Sequence, residues 1–171
     1  MIGKKMQEAL NKQINAELYS AYLYLSMEAF FQSLNLPGFA NWMRIQTQEE
    51  LVHGLKIYDY VNKRGGRVTL KAIADPPVKW NSPLAAFEAV YKHEQKVTGL
   101  INDLVNLAIE QKDHAAQIFL EWFVSEQVEE EKSADEIVQK LKLMADAPGA
   151  IYMLDNEMAR RVFNAPTTQG E

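Results

Sequence analysis

Apolar residues recur along most of this chain at alternating steps of four and three, the period of an amphipathic helix. Four such stripes stand out. The first is Leu10, Ile14, Glu17, Ala21, Tyr24, and the second is Phe39, Met43, Gln46, Glu50, His53, Ile57, Tyr60. The third is Phe87, Val90, Glu94, Val97, Ile101, Leu104, and the fourth is Ala116, Leu120, Phe123, Gln127, Glu130, Ala134, Ile137, Leu141. Breakers fall between the stripes, at Pro37-Gly38, from Gly65-Gly66 to Ser82-Pro83, and at Pro148-Gly149. The pattern predicts helices near 6–33, 38–64, 83–111 and 114–145, with a short fifth near 148–162. Ser82-Pro83 suits an N-cap followed by proline in the first helical turn, and Asp113 can cap the fourth helix.

The connections predict the topology. Helices one and two are joined by a few residues, as are three and four, so each pair should form an antiparallel hairpin. The link from Gly65 to Ser82 can extend about 55–60 Å at ~3.3 Å per residue. A 27-residue helix is about 40 Å long at ~1.5 Å per residue. The link can therefore run the length of the bundle and leave helices two and three parallel, with Val68-Thr69-Leu70 extended within it. The expected fold is all-α, one domain over residues 1–171: a four-helix bundle with one long crossover and a short C-terminal helix.

Each stripe is apolar except near its middle, where it carries Glu17, then Glu50 with His53, then Glu94, then Gln127 with Glu130. A lone glutamate in such a stripe reads most simply as a solvent-facing residue whose helical phase was misjudged. The spacing argues otherwise. Glu17 to Glu50 is 33 residues, as is Glu94 to Gln127, and one shift of 77 maps Glu17, Glu49, Glu50 and His53 onto Glu94, Glu126, Gln127 and Glu130. Two hairpins with matching polar positions suggest a pseudo-repeat around one site. Ionised carboxylates removed from water cost several kcal/mol each unless paired, and no lysine or arginine occupies the stripes. Two divalent cations would balance four glutamates. Oxygen ligands with one imidazole suit iron or manganese.

Composition narrows the alternatives. The chain has 171 residues, 47% hydrophobic and 24% charged, with a formal charge of −5 and no cysteine. Without cysteine thiols, disulfides, iron–sulfur clusters and thiol catalysis are excluded, and a closed structural zinc site is disfavoured. No apolar run reaches the ~18 residues of a transmembrane helix, no basic patch suggests nucleic acid, and the N-terminal residues lack a signal-peptide pattern. These features predict a cytoplasmic protein with neither membrane nor nucleic acid as partner. His93 and His114 lie off the stripes and are expected at the surface, and the seven methionines are expected to serve packing.

The chain resembles the ferritin family, specifically the non-haem ferritins of bacteria and archaea, from about Met6 to Phe163. The resemblance rests on Asn15-Ala16-Glu17-Leu18-Tyr19-Ser20-Ala21-Tyr22, Glu49-Glu50-Leu51-Val52-His53, Tyr91-Lys92-His93-Glu94 and Glu126-Gln127-Val128-Glu129-Glu130-Glu131. One long crossover is the topology of ferritin-like bundles. The resemblance implies a ferroxidase centre that oxidises Fe(II) with dioxygen. Glu17 and His53 would hold one iron, Glu94 and Glu130 the other, and Glu50 would bridge them. Gln127 would orient water or oxygen species. Tyr24 would lie close to the centre as a partner of Glu94 and an electron donor, with Trp122 nearby, although both are core aromatics in any bundle. Glu49, Glu126, Glu129 and Glu130 would form an accessory third iron site, although Glu126, Glu129 and Glu131 could equally be a solvated acidic face. The resemblance also implies a homo-oligomeric shell of 24 subunits that stores Fe(III) mineral. Bacterioferritins have a haem-ligating methionine where this chain has Leu51, so no haem is expected. Two other readings stand beside this one: a rubrerythrin-like di-iron peroxidase, which would need a second Glu-x-x-His where this chain has Gln127-x-x-Glu130, and a non-catalytic helical assembly protein.

Overall fold

A computed structural model describes residues 1–144, 147 and 149–164. Its helices are α1 (Lys4–Ser33), α2 (Pro37–Lys63), α3 (Pro83–Glu110), α4 (His114–Leu143) and α5 (Ala150–Met158). The first four agree with the hydrophobic pattern to within two residues at every expected end that lies within the described residues. The expected end of helix four at 145 and start of helix five at 148 lie outside the described residues. Helix five is shorter at its far end than the periodicity suggested, stopping at Met158.

The ends follow local chemistry. Ser82 Oγ accepts from the Ala85 N–H at 3.0 Å, and Asp113 Oδ1 accepts from the Ala116 N–H at 3.1 Å. Each hairpin turns through one left-handed residue, Asn35 (φ 58) and Lys112 (φ 55). These positions are themselves 77 apart, as are the C-caps Leu34 and Gln111 and the first residues of α2 and α4. The pseudo-repeat in the ligand positions is therefore a repeat of the whole helical hairpin.

Two apolar clusters fill the bundle. One joins the C-terminal half of α1 to the starts of α2 and α3 and the end of α4, around Phe31, Phe39, Phe87 and Ile137. The other joins the start of α1 to the C-terminal halves of α2 and α3 and the start of α4, around Leu10, Ile57, Ile101 and Leu120. This arrangement makes α2 and α3 parallel. Residues 66–80 form neither helix nor strand and run along α1. The crossover is pinned there by side chains one turn apart. Gln7 Oε1 accepts from Arg67 N at 2.9 Å, Asn11 Nδ2 donates to Arg67 O at 3.1 Å, and Asn15 Nδ2 donates to Ala72 O at 3.2 Å. Further along α1, Ser26 Oγ donates to Pro77 O at 2.6 Å.

The fifth helix docks on the start of α2. Asp155 is buried and its Oδ1 accepts from the backbone N–H groups of Gly38 (2.8 Å) and Phe39 (3.0 Å), capping α2 from a distant segment. Leu154 and Met158 pack into the first cluster beside it. A Cβ at position 38 would lie 1.7 Å from the Asp155 carbonyl oxygen, so only glycine permits this approach. Gly38→Ala is expected to displace α5, cost about 2–3 kcal/mol by overpacking, and expose the α5 amides to hydrogen exchange. Unchanged exchange protection in α5 would contradict this account.

Candidate metal centre

The acidic positions lie between the two apolar clusters, and the stripes run through both. Every stripe residue is buried except Tyr60, which is half-buried and stacks on Phe119 with ring centroids 3.7 Å apart. Glu17 (1% exposed), Glu50 (1%), His53 (4%), Glu94 (1%), Gln127 (4%) and Glu130 (8%) all face the interior. The phase of the helices is thus as the periodicity predicted, and carboxylates stand where leucines would otherwise pack.

Two overlapping sets of ligand atoms come together, with Glu94 in neither. Glu17, Glu50 and His53 each offer one ligand atom, all within 4.8 Å of one another, and so do His53, Glu126 and Glu130. His53 Nδ1 lies 3.5 Å from Glu50 Oε2. The imidazole is held edge-on by Trp122 and Phe123, at 5.4 and 6.1 Å between centroids. Glu94 is approached from both sides: the Tyr24 hydroxyl donates to its Oε1, and Gln127 Nε2 donates to its Oε2 at 3.2 Å.

The electrostatics show what the site lacks. Burial, then the neighbouring Glu50 carboxylate, pushes Glu17 up to about 8, and burial with the Glu130 charge pushes Glu94 up to about 7. Glu50 is raised well above the usual carboxylate range by burial and by Glu94 and Glu130. Tyr24 keeps its proton firmly for the same reasons, burial first and the Glu94 charge second. Glu17 Oε2 and Glu50 Oε2 have no hydrogen-bond donor among the described residues. The donor set therefore fits divalent cations: unpaired carboxyl oxygens and one imidazole converge in a buried space. Without such a charge, the carboxyls hold protons instead.

The remaining expected site residues are placed differently. Glu126 is half-buried and reaches the His53–Glu130 group. Glu129 is exposed, 3.5 Å from Lys132 Nζ. Glu49 is half-buried and paired with Arg161 at 2.6 Å. One expectation needs correction. His114 is exposed, but His93 is half-buried: its Nε2 lies 2.8 Å from Ser20 Oγ, Tyr19 and Tyr24 pack against its ring, and burial lowers it to about 4. It sits in the α1–α3 seam, which a stripe drawn for the bundle centre does not cover.

Three contributors have weak sequence signals or none. Gln13 donates to Glu17 Oε1 at 2.9 Å from one turn earlier on α1. Gln46, one turn before Glu50, donates across the bundle to Glu130 Oε2 at 2.8 Å. Both lie four residues before a ligand position, a spacing that can be looked for. Arg161 lies beyond α5 and carries no periodic signal.

The fold and this buried acidic centre define a ferritin-like helical bundle. The family model described as Ferritin-like domain matches residues 7–144. A bacterial non-heme ferritin of Bacteroides fragilis is 45% identical over 161 residues, covering 94% of this chain and 100% of that protein. One from Staphylococcus saprophyticus is 40% identical over 164 residues, covering 96% and 98%. Among solved structures, an engineered closed form of the Archaeoglobus fulgidus ferritin superposes with a TM-score of 0.95 at 56% identity, covering 96% of this chain and 100% of that one. The open-pore ferritin of the same archaeon superposes with a TM-score of 0.93, also at 56% identity, covering 94% and 98%. The chain belongs to the ferritin family.

Proposed function

We propose that this protein is an iron-storage ferritin that oxidises Fe(II) with dioxygen at paired sites inside the bundle. The observation that carries the reading is the convergence of Glu17, Glu50 and His53 at ligand distance, with unpaired carboxylate oxygens, between two apolar layers. Glu17 and His53 would take one ferrous ion, Glu94 and Glu130 the other, and Glu50 both. Each Fe(II) gives up one electron, so a pair reduces dioxygen by two electrons, to the level of peroxide. The protein's part is placement: Gln13 orients Glu17, Gln46 orients Glu130, and Tyr24 with Gln127 orients Glu94. Protons leave Glu17, Glu50 and Glu94 as the ions enter. The apolar layers keep bulk water from the reacting ions. Anaerobic titration should show two tight Fe(II) per subunit, and admitting air should oxidise them far faster than in buffer. Failure of either measurement would overturn the reading.

Storage requires a container, and the subunit surface supports one. Tyr22 and Leu25 on α1, and Leu51, Leu55 and Tyr58 on α2, expose large apolar side chains at helical spacing. Tyr152 and Met153 on α5 do the same, while Leu154 and Met158 are consumed within the subunit. Such surface suits subunit contacts. Light scattering is expected to show a particle of about 24 subunits, and a stable 19.5 kDa monomer would exclude storage. Leu51 offers no ligand atom for haem, so the purified protein should show no Soret band. Among the described residues no helix is long and apolar enough to cross a membrane.

A further inference from the structure

Glu49, Glu126 and Glu130 stand close enough to the paired sites to suggest a third metal position, yet a cation already lies against Glu49. Arg161 Nη2 donates to Glu49 Oε2 at 2.6 Å and to Gln46 Oε1 at 2.5 Å. Its guanidinium lies 4.6 Å from the centre of the Trp42 ring, a cation–π contact. The backbone that carries it is clamped to α2, since Asn41 Nδ2 donates to Met158 O at 3.1 Å and to Arg161 O at 3.0 Å. Asp155 and Gly38 hold α5 on the same helix a turn away.

The contact also decides the orientation of Gln46. A side-chain amide has one oxygen and one nitrogen, and Arg161 can only donate. Once the Gln46 oxygen accepts from Arg161, its nitrogen is the end that donates to Glu130 at 2.8 Å. One arginine thus neutralises Glu49 and, through Gln46, engages Glu130, two of the carboxylates an accessory metal would need. Its Nη1 is buried with no hydrogen-bond partner among the described residues. A guanidinium left partly unpaired beside carboxylates reflects a position fixed by the docked segment as well as by its own hydrogen bonds.

We infer that Arg161 is a built-in cation occupying the place of a third metal ion, so that this subunit binds two ions and not three. The inference rests on the paired-iron reading above. A divalent ion at Glu49 would face the arginine's charge across the same carboxylate. Two like charges brought that close in a partly desolvated site repel strongly, and a divalent ion more so. The ion would have to expel the guanidinium together with the Met158–Arg161 backbone that Asn41 holds. Glu126 lies within ligand distance of His53 and Glu130, but those two serve the paired ions, and Glu126 with Glu129, the one half-buried and the other paired with Lys132, leaves too few further ligands for a tight third site.

The test is anaerobic calorimetric titration of the assembled protein with Zn(II), a redox-inert probe, repeated with Fe(II). Wild type is expected to bind two ions per subunit tightly. Arg161→Ala and the more nearly isosteric Arg161→Gln should each bind a third. Arg161→Lys should return to two, because an ammonium restores the charge. Glu49→Gln in the Arg161→Gln background should also return to two, because the new site loses a ligand. Melting curves on each variant verify the fold. Three tight ions on wild type, or two on both folded charge-removing variants, would overturn the inference while leaving the paired sites standing. A wild type that binds none would overturn both readings.

Discussion

Replacing His53 or Glu130 with alanine is expected to slow the initial oxidation of Fe(II) by ~10²-fold or more, the scale at which misplacing reacting groups by about 1 Å is felt. Dioxygen must receive electrons from two ions held close together, so loss of either ion stops the fast phase. His53 would be the one nitrogen donor of the first ion, and Glu130 a carboxylate donor of the second. Glu50→Ala should be at least as severe, because Glu50 is the carboxylate that both ions would share. Glu121, exposed on the outside of α4, provides the control: Glu121→Ala should oxidise iron at the wild-type rate. Shell assembly should survive every substitution, since the clusters around Phe39 and Leu120 lie above and below the site and are untouched. Rapid-mixing absorbance at matched shell concentration measures the effect. Equal initial rates in wild type, His53→Ala and Glu130→Ala would rule out the proposed centre.

The metal-free protein is expected to lose stability as pH rises from about 5 to about 8.5, against the usual behaviour of paired surface carboxylates. The sign follows from proton binding. Glu94 and Glu17 are raised from 4.5 to about 7 and about 8. The folded chain therefore keeps protons that the unfolded chain releases. Their contribution is fully present below about 4.5 and disappears as pH climbs through the folded values. The loss is on the order of several kcal/mol per subunit. Divalent ions reverse the trend, because they displace those protons and bind more tightly as pH rises. At a free concentration 100-fold above Kd, one ion adds about 2.7 kcal/mol, or roughly 5–10 °C in Tm for a chain of this size. Glu50→Gln should raise the apo Tm at pH 8 and flatten its pH dependence while weakening metal binding. A lower apo Tm in that variant, with metal affinity unchanged, would show that the carboxylates do not converge.

Helix number, hairpin pairing, the long crossover and the buried glutamates were all legible in the amino-acid pattern, because each depends on periodicity or on connection length. A residue four positions along a helix faces the same way whatever lies opposite. Glu17, Glu50, Glu94 and Glu130 could therefore be assigned to one core before any packing was known. The shift of 77 made the two hairpins recognisable as copies, and it holds in the structure down to the left-handed residues Asn35 and Lys112. Local caps such as Ser82 and Asp113 were equally accessible, since their partners lie three residues away.

What each ligand touches was decided only by the tertiary structure. Gln46 reaches Glu130 and Tyr24 reaches Glu94 across 84 and 70 residues of sequence. His93 is half-buried because α1 lies over its side of α3, a seam that the period of a single helix does not reveal. Asp155 caps a helix that begins 118 residues earlier, and Arg161 meets Glu49 across 112 residues. A helical period encodes which way a side chain faces, and the sequence alone therefore determined a bundle with acids at its centre. It carries no information on which distant group a side chain meets, because that depends on how helices and their ends dock. The tertiary structure therefore decided the partners of those acids, and it placed an arginine against Glu49, one of the carboxylates that the resemblance gives to a third iron.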